Sequence, residues 1–307
     1  MAEKKVMIVT GGNSGLGLET AKSLCGLGHH VIISVRDHDK GTAAMSHIKS
    51  AVPTADIAYS IMELSDPQSI RDFVTSFLAK EKPLHVLMNN AGMFMPLRNP
   101  ERRTARKDPE LELTMTTNCM GHFLLTNLLL DKLKASGTEA DPARIINVSS
   151  GITVEKMGVN QGGFFIDDIM LAEEGHYWTG LQSYRNSKLA IHLWTKELAK
   201  KLKGCNVVVN TVCPGFIPAT ALSRENRATY RGMFLLTIAN SFIGRWLFSA
   251  EPVEAGRDKL LQMAVSEDRK TSGIFYTQFQ PRTEAAEVLD EDNQMKIWDL
   301  CVKYSTL

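Results

Sequence analysis

Four apolar residues, Val6 to Val9, run straight into Thr10-Gly11-Gly12-Asn13-Ser14-Gly15-Leu16-Gly17, and a helical spacing of Leu18, Ala21, Leu24 and Leu27 follows. A second apolar run, His30 to Val35, comes after Gly28 and is closed by Arg36 and Asp37. Strand, glycine turn, helix, strand is a βαβ unit. Its two strands must lie parallel, joined by a right-handed crossover. That commits the start of the chain to a parallel sheet covered by helices.

The alternation continues along the chain. Helical signals recur at Asp39–Ser50, and a third strand is expected at Ile57–Met62. Asp66-Pro67 opens a helix through Ala79, with Asp66 as N-cap and Pro67 at the first helical position. A fourth strand, Leu84 to Met88, ends in Asn89-Asn90-Ala91-Gly92. The stretch Leu97 to Asp108 carries Arg98, Arg102, Arg103, Arg106 and Lys107 and reads as a solvated basic loop. Leu111 to Lys134 has one long helical period, and a strand is expected at Arg144–Val148. The next helix runs from Tyr184 to Lys201, buries Ala190, Leu193, Trp194, Leu198 and Leu202, and is stopped by Gly204. A sixth strand, Asn206–Val212, leads into Cys213-Pro214-Gly215. Residues 216–250 read as a helical insertion, 252–266 as a further helix, and Gly273–Tyr276 as a last short strand. The pattern predicts an α/β fold: a single Rossmann-type doubly wound parallel sheet with a helical substrate-lid insertion at 216–250. The expectation is one dinucleotide-binding catalytic domain over 1–307.

Composition narrows the partners. Lys and Arg number 35 against 34 Asp and Glu, a formal charge of +1, which gives nucleic acid or an acidic membrane no purchase. Five scattered cysteines without a C-x-x-C pair argue against a disulfide framework or a zinc site and for a reducing compartment. No apolar run long enough for a signal peptide or anchor precedes Val6, so a cytoplasmic protein without a transmembrane span is expected. His29, His30, His122 and His176 lack paired metal spacing and are read as structural.

The glycine turn carries the first chemical implication. Gly11, Gly15 and Gly17 lie between strand and helix, where glycine lets the backbone approach a pyrophosphate and the helix N-terminus offers oriented N–H groups to its charge. A dinucleotide is therefore expected on Gly11, Asn13, Ser14, Gly15, Leu16 and Gly17. At the end of the second strand an acid would hold the ribose 2′-OH of NAD, whereas a cation would neutralise the 2′-phosphate of NADP. The chain has Ser34-Val35-Arg36, so NADP(H) is expected ahead of NAD(H), with Asp37 next in line as a repelling charge.

The second implication comes from Ser183-Tyr184-Arg185-Asn186-Ser187-Lys188, which puts Tyr184 and Lys188 on one helix face. An ammonium at ~5 Å in an effective dielectric of ~20 favours phenolate by about 3 kcal/mol, enough to bring a phenol toward proton exchange at neutral pH. A helical Tyr packed on a surface Lys is the bland reading of that spacing taken alone.

Taken together, Thr10-Gly-Gly-Asn-Ser-Gly-Leu-Gly17, Asn89-Asn-Ala-Gly92, Asn147-Val-Ser-Ser150, Tyr184-x-x-x-Lys188 and Pro214-Gly215 resemble the short-chain dehydrogenase/reductase family, in order, over residues 5 to about 280. Thr117-Asn118-Cys-Met-Gly121-His122 and Ser187-Lys188-Leu-Ala190 resemble its retinol-dehydrogenase-like branch, and Pro83–Asn90 with Leu128–Gly137 its polyprenol-dehydrogenase-like members. The resemblance implies that Tyr184 exchanges a proton with the substrate oxygen while hydride moves to or from nicotinamide. It implies that Lys188 lowers the Tyr184 pKa and holds the nicotinamide ribose, that Ser150 orients the substrate oxygen, with Ser149 as the alternative, and that Asn118 positions a relay water. Cofactor contacts are implied for Tyr184, Lys188, Arg36, Asn90, Ala91, Gly92, Pro214, Gly215 and Ile217. Glu63-Leu64 stands where the family has Asp-Leu against adenine, and Thr220, one place beyond Ala219, where it has a carboxamide-binding threonine.

The apolar content of 216–250, including Phe216, Leu222, Phe234 and Trp246, follows the nicotinamide-side turn and suggests a large apolar pocket. A lipophilic alcohol, aldehyde or ketone of retinoid, isoprenoid or steroid type is the expected substrate, collected where the lid could rest on a membrane surface. Family relatives pair through the long helices, which makes a homodimer the expected assembly. Two other readings stand beside this one: a dinucleotide-binding sensor or scaffold without turnover, and a same-fold enzyme reducing a C=C bond.

Overall fold

The apolar runs become strands buried on both faces, as a helix-covered parallel sheet requires. In chain order they are β1 (Val6–Thr10), β2 (His30–Val35), β3 (Asp56–Ile61), β4 (Val86–Asn89), the small antiparallel hairpin β5 (Thr104–Ala105) and β6 (Asp108–Glu112), β7 (Ala143–Val148), β8 (Val207–Cys213), β9 (Phe275–Thr277) and β10 (Gln280–Pro281). The computed structural model describes residues 3–94, 104–105, 108–153, 164–172, 179–218 and 250–306. The main sheet runs β3-β2-β1-β4-β7-β8-β9-β10, parallel except where β10 returns against β9. The order reverses direction between β1 and β4, which places the crevice for a ligand at the carboxyl ends of these strands.

Alternate strand residues feed two cores. Ile8, Ile32, Leu87, Ile145 and Val209 pack under α3 (Pro67–Leu78), α5 (Gly121–Ser136) and α6 (Gly180–Lys201), with Phe123 and Trp194 edge-to-face, 5.8 Å between ring centroids. Met7, Val9, Val31, Ile33, Met88 and Val212 pack under α1 (Gly15–Gly26), α2 (His38–Ala51) and α7 (Val253–Val265). The Asp66 side chain accepts from the Gln68 N–H at 3.1 Å, with Pro67 at the first helical position, as its sequence position requires.

Three stretches depart from the sequence expectation. Leu111 and Glu112 belong to β6 rather than to the long helix, which begins with α4 (Leu113–Met115), passes through a π-helical turn at Thr116–Met120 and resumes as α5. The last strand is Phe275–Thr277, and the chain then adds β10, α8 (Ala286–Leu289) and α9 (Glu291–Ser305). Asp290 caps α9 by accepting from Asp292 and Asn293 N–H groups, and Gln294, Ile297, Cys301 and Tyr304 form its buried stripe. That stripe rests on α6 and α5, with Trp298 edge-on to Phe123 at 4.9 Å between centroids and the Lys201 ammonium 4.8 Å from the Trp298 ring. Part of the face through which relatives were expected to pair is thus covered by this chain's own tail. Of the expected basic loop only 104–105 and 108 are described, and residues 219–249 of the expected lid lie outside the described residues.

Candidate active site

The site is assembled from the carboxyl ends of β1, β4, β7 and β8, starting at Thr10. Asn90 and Ala91 N–H groups both donate to Thr10 Oγ1 at 2.9 Å, and Asn90 Nδ2 donates to the Thr10 carbonyl at 2.8 Å. With both lone pairs used, the Thr10 hydroxyl donates to His122 Nε2 at 2.9 Å. His122 Nδ1 then donates to the Asn118 carbonyl at 2.9 Å. Burial lowers the His122 pKa to about 4, so the ring is neutral and this tautomer is fixed by its two partners. A residue read from sequence as merely structural therefore joins the glycine turn to Asn118.

The turn itself fits a dinucleotide pyrophosphate. Gly11 and Gly15 have φ of 65° and 52°, the left-handed region that side chains disfavour. A Cβ on Gly17 would come within 2.5 Å of Asn90 Nδ2 and 2.6 Å of the Gly11 carbonyl. Ser14 is the N-cap of α1 but its side chain makes no capping bond, leaving first-turn N–H groups for another acceptor. Asn13, Ser14, Gly15 and Leu16 follow one another along this turn into the first turn of α1. At the next strand end Arg36 is exposed, while Asp37 accepts from the Lys40 N–H at 2.9 Å as the α2 cap and pairs with the Lys40 ammonium. Beyond β3, Glu63 folds back on its own turn, accepting from Ser65 N and Oγ at 3.2 and 3.1 Å, and Leu64 is buried.

Asn118 sits in the π-helical turn with every side-chain group engaged. Its Oδ1 accepts from Met93 N–H at 2.8 Å, and its Nδ2 donates to the Met93 carbonyl and Ser187 Oγ, both at 3.0 Å. A Cβ on Gly92 would lie 3.5 Å from Asn118 Oδ1 and 3.6 Å from Lys188 Nζ, so that turn brings Asn118 and Lys188 together.

Tyr184 and Lys188 occupy successive turns of α6 and both are buried. Lys188 Nζ donates to the Val148 carbonyl at 2.8 Å and stands 5.6 Å from the Tyr184 ring centroid. Phe94 covers the Tyr184 ring edge-on at 5.3 Å. The Ser150 hydroxyl is near enough to the Tyr184 phenol to lower its pKa, whereas Ser149 points away, 3% exposed, toward His192 and the Lys188 carbonyl. Of the two serines, Ser150 is the one on the Tyr184 side. Burial drives the Tyr184 pKa well above that of a free phenol, outweighing the Ser150 hydroxyl that lowers it. The charge of Lys188 alone would move the phenol the other way, as expected from sequence; desolvation, which also lowers the Lys188 pKa to about 8, overrides it.

The far wall is the Cys213-Pro214-Gly215 turn. Cys213 Sγ accepts from Gly151 N–H at 3.1 Å and Gly215 N–H at 3.4 Å, tying the Ser150 loop to the Pro-Gly turn. Lys259, ion-paired with Glu251 at 2.5 Å, donates to the Pro214 carbonyl at 3.1 Å. Ile217 is buried, and Thr220 lies outside the described residues.

Residues 5–162 and 172–231 match the family model for the short chain dehydrogenase. The chain is similar to retinol dehydrogenase 11 of Mus musculus, 43% identical over 213 residues, which span 69% of this chain and 61% of that protein. It is also similar to polyprenol dehydrogenase of Homo sapiens, 35% identical over 298 residues covering 96% of this chain and 83% of that one. Among solved structures, an uncharacterized protein from Mycobacterium paratuberculosis superposes with a TM-score of 0.70 at 25% identity, over 98% of this chain and 93% of that one. No helix among the described residues is long and apolar enough to cross a membrane.

Proposed function

Since the chain belongs to the short-chain dehydrogenase family, in its retinol-dehydrogenase-like branch, and is by that membership an NAD(P)-dependent alcohol dehydrogenase/carbonyl reductase, we propose that it interconverts a lipophilic alcohol and its carbonyl compound with NADP(H). The substrate is of retinoid, isoprenoid or steroid type. The observation that carries the reading is the buried Tyr184 phenol beside Lys188, with Ser150 near enough to act on it, at the strand ends beside a glycine turn able to take a pyrophosphate.

The dinucleotide, when bound, supplies or accepts the hydride. The chain's own residues handle the proton and the geometry. A phenol whose pKa is raised by burial rests protonated, so Tyr184 is poised to give its proton to an oxygen gaining negative charge. Ser150, half-buried and beside that phenol, holds the same oxygen in line. Lys188, protonated at neutral pH despite burial, stabilises the phenolate left behind. Asn118, fixed through Met93, Ser187 and His122, keeps the proton route beside Lys188 in place. Gly11, Asn13, Ser14, Gly15, Leu16 and Gly17, with Asn90, Ala91 and Gly92, would hold the adenosine and pyrophosphate end. Glu63 and Leu64 would border the adenine, and Pro214, Gly215 and Ile217 the nicotinamide; Thr220, expected from the sequence to join them, lies outside the described residues. Arg36 would meet a 2′-phosphate, and NADP(H) is favoured because Asp37 spends its charge on the α2 cap and Lys40.

The experiment is a screen of lipophilic alcohols and aldehydes with both dinucleotides, followed by Tyr184→Phe on whichever pair turns over. Y184F is expected to lose turnover while binding NADPH within about twofold of the parent, because only the transition-state contact is removed. Unchanged turnover in Y184F, or wild-type turnover of small polar hydroxy acids and sugars alone, would refute the assignment.

A further inference from the structure

His192 is fully buried one turn beyond Lys188 on α6, and it has no part in the chemistry above. Its Nδ1 lies 2.9 Å from Glu284 Oε1, and Glu284 comes from the segment between β10 and α8, 92 residues further along the chain. Glu284 is itself buried and ion-paired with Lys196 through its other oxygen. On the opposite side of the ring, Nε2 lies 2.7 Å from Ser149 Oγ. The Phe275 ring packs edge-on against the imidazole at 4.5 Å between centroids.

The partners dictate where each proton sits. A carboxylate can only accept, so His192 Nδ1 carries the hydrogen and Nε2 presents a lone pair. The Ser149 hydroxyl must then donate to Nε2. The Thr153 hydroxyl, 3.5 Å from the same nitrogen, is committed to the Ser150 carbonyl at 2.9 Å. Ser149 has a second acceptor within reach, the backbone carbonyl of Lys188 at 3.3 Å, and it has only one proton to give. The direction of that proton is thus set by Glu284 through the imidazole.

Serine, imidazole and carboxylate in hydrogen-bonded sequence also describe a hydrolytic nucleophile. Here the serine is 3% exposed, so no acyl group can reach it. What the arrangement does grip is the end of β7. Val148 accepts from the Lys188 ammonium, Ser149 is held by His192, and Ser150 is the next residue. We propose that His192, fixed in one tautomer by Glu284, is a positioning residue that anchors Ser149 and thereby sets Ser150 against Tyr184. The proposal rests on the Tyr184–Ser150 reading above.

Glu284→Gln tests it without changing shape. The Lys196 ammonium, which also donates to the Gly273 carbonyl at 2.7 Å, cannot face an NH2, so the amide oxygen turns to Lys196 and the NH2 to His192 Nδ1. The ring must then carry its hydrogen on Nε2, donate to Ser149, and release the Ser149 proton toward the Lys188 carbonyl. In 15N-histidine-labelled protein, the nitrogen shifts of His192 are expected to report Nδ1–H in the wild type and Nε2–H in E284Q. For the lipophilic substrate found by the screen, E284Q is expected to lower kcat about tenfold, with KM and NADPH affinity within about twofold, as a small displacement of one catalytic group would. Ser149→Ala alone should lower kcat comparably, and E284Q should add nothing in the S149A background.

An Nε2–H wild-type ring overturns the proposal, as does unchanged kcat in S149A or an E284Q effect that persists undiminished in S149A. The wild-type tautomer and S149A decide the matter even if E284Q does not fold. If Y184F keeps its turnover, the catalytic reading fails by that result, whereas failure of E284Q and S149A with an inactive Y184F sinks only the role of His192.

Discussion

Lys188 should make the protein less stable than it would be without it. Its ammonium is buried, and desolvation is the main reason its pKa falls from 10.5 to about 8. At about 1.36 kcal/mol per pH unit, that fall corresponds to roughly 3 kcal/mol lost at neutral pH, where folded and unfolded chains both carry the proton. Lys188→Met replaces the ammonium with an unbranched apolar chain of similar length and forgoes the hydrogen bond to the Val148 carbonyl, about 1–2 kcal/mol. A net gain of about 1–2 kcal/mol at pH 7 is therefore expected, together with loss of turnover. Between pH 8 and 10.5 the unfolded chain keeps a proton on this lysine that the folded chain has released. Wild-type stability should rise through that window by up to about 1.4 kcal/mol per pH unit from this group, and the advantage of K188M should shrink to match. Tyr184, common to both proteins, cancels in the difference. Urea unfolding of both proteins without added dinucleotide, from pH 7 to pH 10, measures it. A K188M protein less stable than wild type at pH 7, or a difference that does not change with pH, would show that the burial penalty has been misjudged.

Two further outcomes follow from the same geometry. A Cβ on Gly121 would overlap the Leu64 carbonyl oxygen and crowd its backbone carbon. Gly121→Ala gains about 1 kcal/mol of helix propensity but loses about 1–3 to overpacking, so the protein should be destabilised by thermal melting and bind NADPH more weakly as Leu64 is displaced. Arg36→Ala should raise KM for NADPH while leaving KM for NADH within about twofold, because only one of the two carries the 2′-phosphate; equal changes for both would remove Arg36 from the 2′-phosphate.

Legibility from sequence followed the range of the causes. The βαβ start was readable because Gly11, Gly15 and Gly17 act within one turn, and Asp66-Pro67 because a cap and its helix are neighbours. The serine, tyrosine and lysine were legible as motifs, and the fold brings Ser150 to Tyr184. The tail was missed although Gln294, Ile297, Cys301 and Tyr304 have helical spacing, since the face of α6 that receives them cannot be seen from a local pattern. His192 and Glu284 are 92 residues apart, and nothing near either names the other. The Tyr184 pKa went the other way for a related reason. The charge of Lys188 is written in the sequence, but the desolvation acting on both groups is created only by folding.

The π-helical turn at Thr116–Met120 has an implication for how this helix can change. Such a turn amounts to one extra residue in an α-helix, and excising one position there would give an unbroken helix with regular hydrogen bonds. Everything on one side of the cut would also swing by about 100° relative to the other, the angle per residue of an α-helix. Asn118, bound on one side to Met93 and on the other to Ser187 and His122, could no longer serve all three. A shorter and more regular helix is therefore closed to this protein at these five residues. Insertions and deletions should be tolerated in the exposed turn at 138–140 that follows α5 long before they are tolerated in these five residues.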